Sequence, residues 1–206
     1  MPRDRRASRW DAHRQARRAE LVDAAITAIR THGAGVGMDD VAAAAGTSKT
    51  VVYRHFVDRT QLYVAVCARV AEVLIGQVRA AMNAAEGPRA KTAAGIDAYL
   101  RLIENDREVY RFVVHRALVA EPVADLVSLI GDEAAAVIAA QLRRTGADTS
   151  AAAPWGHGVV GMVRGAADHW LAHPEGMTRA RLAAHLTDLA WAGLSGVVAT
   201  PMEEVS

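Results

Sequence analysis

GMDDVAAAAGTSKTVVYRHFVD, residues 37–58, sets two short helical patterns on either side of a glycine turn. Asp39 and Asp40 fall in the first turn of the leading pattern, where negative charge opposes the positive end of the helix dipole. Val41, Ala42 and Ala45 give that helix a thin apolar side, and Gly46 follows its last turn, where a left-handed residue is wanted. Ser48 offers a hydroxyl to cap the next helix. In that second helix Val52 and Phe56 are four residues apart and share one buried face. Thr50 and Arg54 point away from it, with Val51 and Tyr53 to the sides. An outward face that is small, basic and aromatic suits insertion into a DNA major groove, the layout of a helix-turn-helix. The bland alternative is a helical hairpin whose polar face meets only water.

The longer run GMDDVAAAAGTSKTVVYRHFVDRTQLY separates these readings. Its AxxAGxS, followed by VxYRHF, an acid–base pair and QLY, resembles the N-terminal signature of the tetracycline-repressor (TetR) family of bacterial regulators. The resemblance is strong over residues 18–66 and extends to the remainder in layout. It implies an all-α protein, with a three-helix DNA-binding domain followed by a larger helical domain that binds a small inducer and forms the dimer. One departure is visible. Gly37 stands where the family often carries Thr or Ser as helix cap and phosphate contact, so that contact is missing here.

Composition agrees with a helical regulator. Hydrophobic residues make up 51% of the 206, yet aromatics only 5%, so the core is mainly Ala, Val, Leu and Ile. Six prolines and no sustained β-branched alternation favour helices throughout. Of the 24 basic residues only Lys49 and Lys91 are lysine, which with the alanine content suggests a GC-rich genome of actinobacterial type. The single cysteine, Cys67, has no intramolecular disulfide partner, and no apolar run reaches transmembrane length, so a cytoplasmic setting is expected. The net charge of +1 conceals an asymmetry: residues 1–59 carry a balance of +4 and residues 60–206 one of −3. A basic end on a mildly acidic body fits one module that faces nucleic acid and one that does not.

Along the chain, residues 1–16 read as a basic, flexible arm, 17–62 as the DNA-binding domain and 63–206 as the ligand-binding and dimerisation domain. Leu21, Val22, Ala25, Ile26 and Ile29 predict a supporting helix from about Arg17 to His32. Asp58 with Gln61 resembles a capping box opening a long helix to about Ala85, roughly 40 Å at ~1.5 Å per residue. Further helices fit 90–104, a short segment after Asn105-Asp106, 121–144, 154–173 and 178–199, giving about nine in all.

Base-edge contacts are expected from Ser48, Lys49, Thr50 and Tyr53, and phosphate contacts from Arg54, His55 and Arg59. No catalytic constellation, phosphate-cradling glycine loop or dinucleotide fingerprint is present, so no cofactor is expected. His169 and His173 have the i, i+4 spacing of metal ligands, but no acid lies in the zinc-enzyme position between them. Tyr99, Tyr110, Phe112, Trp155 and Met162 are candidates for lining an apolar ligand cavity, with Arg116 and Arg164 available to orient an anionic group. Gly158, Gly161, Gly165, Gly193 and Gly196, beside Trp170, Trp191, Leu182, Leu186, Leu189 and Leu194, fit a dimer interface of the last two helices. Such a dimer requires a near-palindromic operator. The competing classes are a ligand-independent architectural DNA binder, a helical enzyme and, within the family, an activator.

Overall fold

The computed structural model describes the backbone of residues 3–117 and 121–198, and side-chain surroundings over 11–33, 35–114 and 128–193. Among the described residues there are nine α-helices, one 3-10 turn (Gly33–Gly35) and no strand. The helices are α1 Arg3–His32, α2 Met38–Ala44, α3 Lys49–His55, α4 Arg59–Ala84, α5 Pro88–Asn105, α6 Arg107–Ala117, α7 Glu121–Thr145, α8 Ala152–Ala172 and α9 Arg179–Val198. The chain divides into two compact units: Met1–Ala71 with Asp106–Val123, and Glu72–Asn105 with Ala124–Ser206.

The first unit is built on α1. This helix begins at Arg3, some fourteen residues before the start the apolar pattern predicts. Residues 3–16 are rich in Arg and Ala, good helix formers, and no Gly or Pro interrupts the run to His32. Their pattern has no apolar face, and side chains 11–16 are all exposed. Burial starts at Leu21 and continues through Val22, Ala25, Ile26 and Ile29. These pack with Val41 of α2, Val52 of α3, Phe56, and Leu62 and Val66 of α4 in one cluster.

That cluster also contains Val109, Phe112 and Val113 of α6, so this later helix packs within the first unit. Phe112 is fully buried, its ring edge-on to Tyr63 at 4.9 Å between centroids. Arg30 in the last turn of α1 grips Asp106 at the head of α6 through two bonds of 2.7 and 2.9 Å. The start of α6 is thus tied to the end of α1 rather than only to its chain neighbour α5.

In the second unit, α5 presents Ile96, Leu100 and Ile103, and α9 presents Leu182, Ala183, Leu186 and Ala190, as buried residues at helical spacing. Arg179 ties the two helices by pairing with Asp97 and, at 3.1 Å, with Glu104. Trp170 is buried and its indole N–H donates to the Met177 carbonyl at 2.7 Å, fixing the turn from α8 to α9. Trp170, Leu182 and Leu186 therefore belong to this unit's interior, which removes them from the predicted dimer stripe. Leu189 is exposed and Trp191 half-buried, while Leu194 and Gly196 lie outside the residues with described side chains. Helices approach closely at Gly131 and Gly156, whereas a Cβ on Gly158, Gly161, Gly165 or Gly193 would meet open space. Cys67 is buried in the first unit's cluster, as a small apolar residue would be.

Candidate nucleic-acid interface

The turn between α2 and α3 is set by backbone bonds. Gly46 adopts φ +59°, its N–H donates to Ala43 O at 3.0 Å, and Thr47 N–H donates to Ala42 O at 2.9 Å. This paired pattern closes the orphan carbonyls of α2 and requires the left-handed residue that glycine supplies. Asp40 accepts from the Gly37 N–H at 2.7 Å, so the side chain missing at Gly37 leaves half of a reciprocal cap in place. Ser48 occupies the cap position of α3 in an extended conformation, but its hydroxyl makes no capping bond. The expected cap is therefore positional only, and the hydroxyl stays on the surface.

α3 has the predicted sidedness. Val52 and Phe56 are fully buried, whereas Ser48, Lys49, Thr50, Tyr53 and Arg54 are exposed and His55 is half-buried. At 43% exposure Tyr53 is a large aromatic residue on the solvent side of α3. Lys49 Nζ donates to Asp39 Oδ2 of α2 at 2.8 Å, and this bond to Asp39 raises the lysine's pKa.

Two arginines brace this helix from neighbouring elements. Arg18 of α1 donates through Nη1 to the His55 carbonyl at 2.6 Å and lays its guanidinium over the Phe56 ring, 4.1 Å from the centroid. It thereby satisfies a carbonyl at the C-terminus of α3, where positive charge is favoured. Arg59, expected on a phosphate, donates through Nη2 to Val36 O at 2.5 Å and through Nε to the Tyr63 hydroxyl. Tyr63 in turn donates to the same Val36 carbonyl at 2.6 Å. The chain just before α2 is thus held by two groups from the start of α4. The head of α4 is capped by Asp58, which accepts from the Gln61 N–H at 2.7 Å, while Gln61 reaches back to the Val57 N–H at 3.0 Å, one residue earlier than expected.

Sequence reasoning missed Arg18, Tyr63 and Asp39. Arg18 was one of seven arginines in a basic segment; its place one turn before Leu21 and Val22 is the signal that marked it. The charge around His55 is strongly one-sided. Burial, then Arg17, Arg54, Arg18 and Arg14, hold its imidazole below the ordinary value. Arg17 also pairs with Glu20 at 2.7 Å, and Arg14 approaches Asp11 at 4.0 Å.

The ligand candidates are divided. Tyr99, Trp155 and Met162 are half-buried in the second unit, as is Arg164, which lies 3.9 Å from Asp168. Tyr110 and Phe112 belong to the first unit, and the Arg116 side chain lies outside the described residues. The His169 and His173 rings stack at 4.8 Å, and no group of three metal-ligating side chains occurs among the described residues.

A polar, aromatic, basic helix packed against a short partner helix across a glycine turn defines a DNA-binding regulator of the helix-turn-helix class. Comparison with known proteins agrees. The family model described as bacterial regulatory proteins, tetR family, matches residues 21–66, and that described as tetracyclin repressor-like, C-terminal domain, matches residues 77–203. An HTH-type transcriptional regulator of Mycobacterium tuberculosis is 36% identical over 198 residues, covering 95% of this chain and 84% of the relative. The HTH-type transcriptional activator FasR of Mycolicibacterium smegmatis is 30% identical over 190 residues, covering 91% of this chain and 87% of its own. A tetR-family regulator from Streptomyces coelicolor shares the fold at a TM-score of 0.73 and 21% identity, over 90% of this chain and 82% of that one. The chain belongs to the TetR family of transcriptional regulators, and it is a DNA-binding regulator rather than an enzyme. No helix among the described residues is long and apolar enough to cross a membrane.

Proposed function

We propose that the protein is a homodimeric, sequence-specific repressor in the cytoplasm, released from a near-palindromic operator by a small, apolar ligand. Base edges are read by Ser48, Lys49, Thr50 and Tyr53, and phosphates are held by Arg54, His55 and the free nitrogen of Arg59. The observation that carries this reading is the outward face of α3, polar and aromatic over a fully buried Val52 and Phe56. The ligand belongs to the helical body, with Tyr99, Trp155 and Met162 as contacts. Dimerisation through α8 and α9 is supported by the exposed, uncrowded glycines at 158, 161, 165 and 193 beside exposed Leu189. A ligand acts by differential affinity for two states of the dimer, only one of which fits the half-site spacing.

Activation is the second reading, because a relative 30% identical over most of its length is an activator. Selection of bound DNA from a random library, followed by a reporter fused to the nearest matching promoter, separates the two. Two-fold symmetric sequences and higher reporter output on gene deletion support a repressor; lower output establishes an activator. Enrichment of asymmetric sequences, or monomeric mass in light scattering, refutes the dimer.

A further inference from the structure

α2 and α3 are joined across their turn by a single exposed ion pair. Lys49 Nζ lies 2.8 Å from Asp39 Oδ2, with the two side chains 47% and 78% exposed. Exposed pairs of this kind add little stability, and the favourable place of an acid in the first turn of α2 does not by itself call for a lysine partner on the outward face of α3. Asp40, the neighbouring acid, is committed to the Gly37 N–H. Among the described residues, the side-chain hydrogen bonding of Asp39 goes to Lys49 alone.

The pair has a chemical complement. On its major-groove edge a G·C pair offers the guanine O6 and N7 acceptors beside the cytosine N4 donor. An ammonium held against a carboxylate offers the opposite arrangement, a donor beside an acceptor, at hydrogen-bond separation. Lys49 retains two protons after bonding Asp39, and the carboxylate retains unused lone pairs. We infer that Asp39 and Lys49 together read one G·C base pair in each half-site, Lys49 donating to guanine and Asp39 accepting from the cytosine amino group. This rests on α3 being the recognition helix. Asp39 also rejects: facing thymine O4 or a guanine acceptor, its carboxylate is repelled, so it adds specificity at some cost in general DNA affinity.

The test is selection from a random DNA library with the full-length wild type, Asp39→Ala, Lys49→Met and the double variant, each first shown folded by its thermal melt. Wild type should prefer G·C at one position per half-site by about tenfold or more. Each single variant should lose that preference and keep the others, and the double variant should lose no more than the worse single. Three results overturn the inference while leaving DNA binding intact. One is an Asp39→Ala profile identical to wild type with uniformly tighter binding. Another is loss of preference at different positions in the two single variants. The third is a shared position that prefers A·T. Failure of the wild type to enrich any sequence overturns the inference and the recognition-helix reading together. Lys49→Met guards the test, since it leaves the first turn of α2 untouched.

Discussion

Arg18 and His55 meet at the end of α3, and each supports a distinct expectation. Arg18 satisfies the part-buried His55 carbonyl and covers the Phe56 ring, so Arg18→Ala removes a charged hydrogen bond and a cation–π contact together. A loss of about 1–2 kcal/mol in urea unfolding is expected, with weaker binding to every DNA sequence because α3 is less firmly placed. An unchanged melt would show that the guanidinium is replaced by water without penalty. His55 works through pH. Its folded pKa is held down by burial and then by Arg17, Arg54, Arg18 and Arg14. Below the unfolded imidazole value of about 6.5, the unfolded chain therefore takes up the proton more readily than the folded one. Stability linked to neutral His55 is complete above that value and is lost as the pH falls. Between about pH 7.5 and 5.5 the urea midpoint of wild type should drop further than that of His55→Gln. Equal drops in both would assign the acid sensitivity elsewhere.

At the scale of helices, the crossing of α7 and α8 supplies a sharper test than any surface pair. A Cβ on Gly156 would lie 2.5 Å from Ala135 N and 2.6 Å from Gly131 O, backbone atoms that cannot turn aside. Gly156→Ala should destabilise by roughly 1–3 kcal/mol through forced separation of the helices, although alanine is the better helix former. Gly76→Ala in α4, where a Cβ meets open space, should instead stabilise by about 0.5–1 kcal/mol. Thermal melts of both variants read the contrast, and a shared sign would defeat it. These two glycines also mark what the sequence could convey. Gly46, Asp58 with Gln61, and the Val52–Phe56 pair were legible because caps and faces depend on residues a turn apart. Which glycine is crowded depends on a helix elsewhere in the chain, so the close approach at Gly131 and Gly156 had no local signal. The same holds for α6: the burial of Phe112 against Tyr63 joins residues 49 apart in the chain, and no local pattern announces it. The start of α1 was hidden for the opposite reason, since residues 3–16 form a helix with no apolar period to read.

For the molecule as a whole, the division of charge is the property that DNA senses first. The basic balance is confined to residues 1–59, and five of its arginines, Arg3, Arg5, Arg6, Arg9 and Arg14, precede Ala16. None of the described side chains in 11–16 is buried, and the first core residue of α1 is Leu21. Deleting residues 2–14 should therefore leave the free energy of urea unfolding within about 0.5 kcal/mol of wild type, as for surface changes in general. DNA affinity is another matter. Arg14 already contributes to the positive field at His55, beside the end of α3, and the arginines before it extend the same charge along α1. For every phosphate that the shortened protein no longer neutralises, the dependence of log affinity on log salt should flatten by about 0.9. Affinity for operator and for unrelated DNA should then fall by similar factors at low salt, with the difference shrinking as salt screens the charges. A base-reading arm would behave otherwise, losing operator affinity selectively. Binding isotherms of the full-length and shortened proteins on both DNAs, across a salt series, distinguish these outcomes. Identical slopes for the two proteins would show that the arginine-rich turns of α1 stand clear of the phosphates.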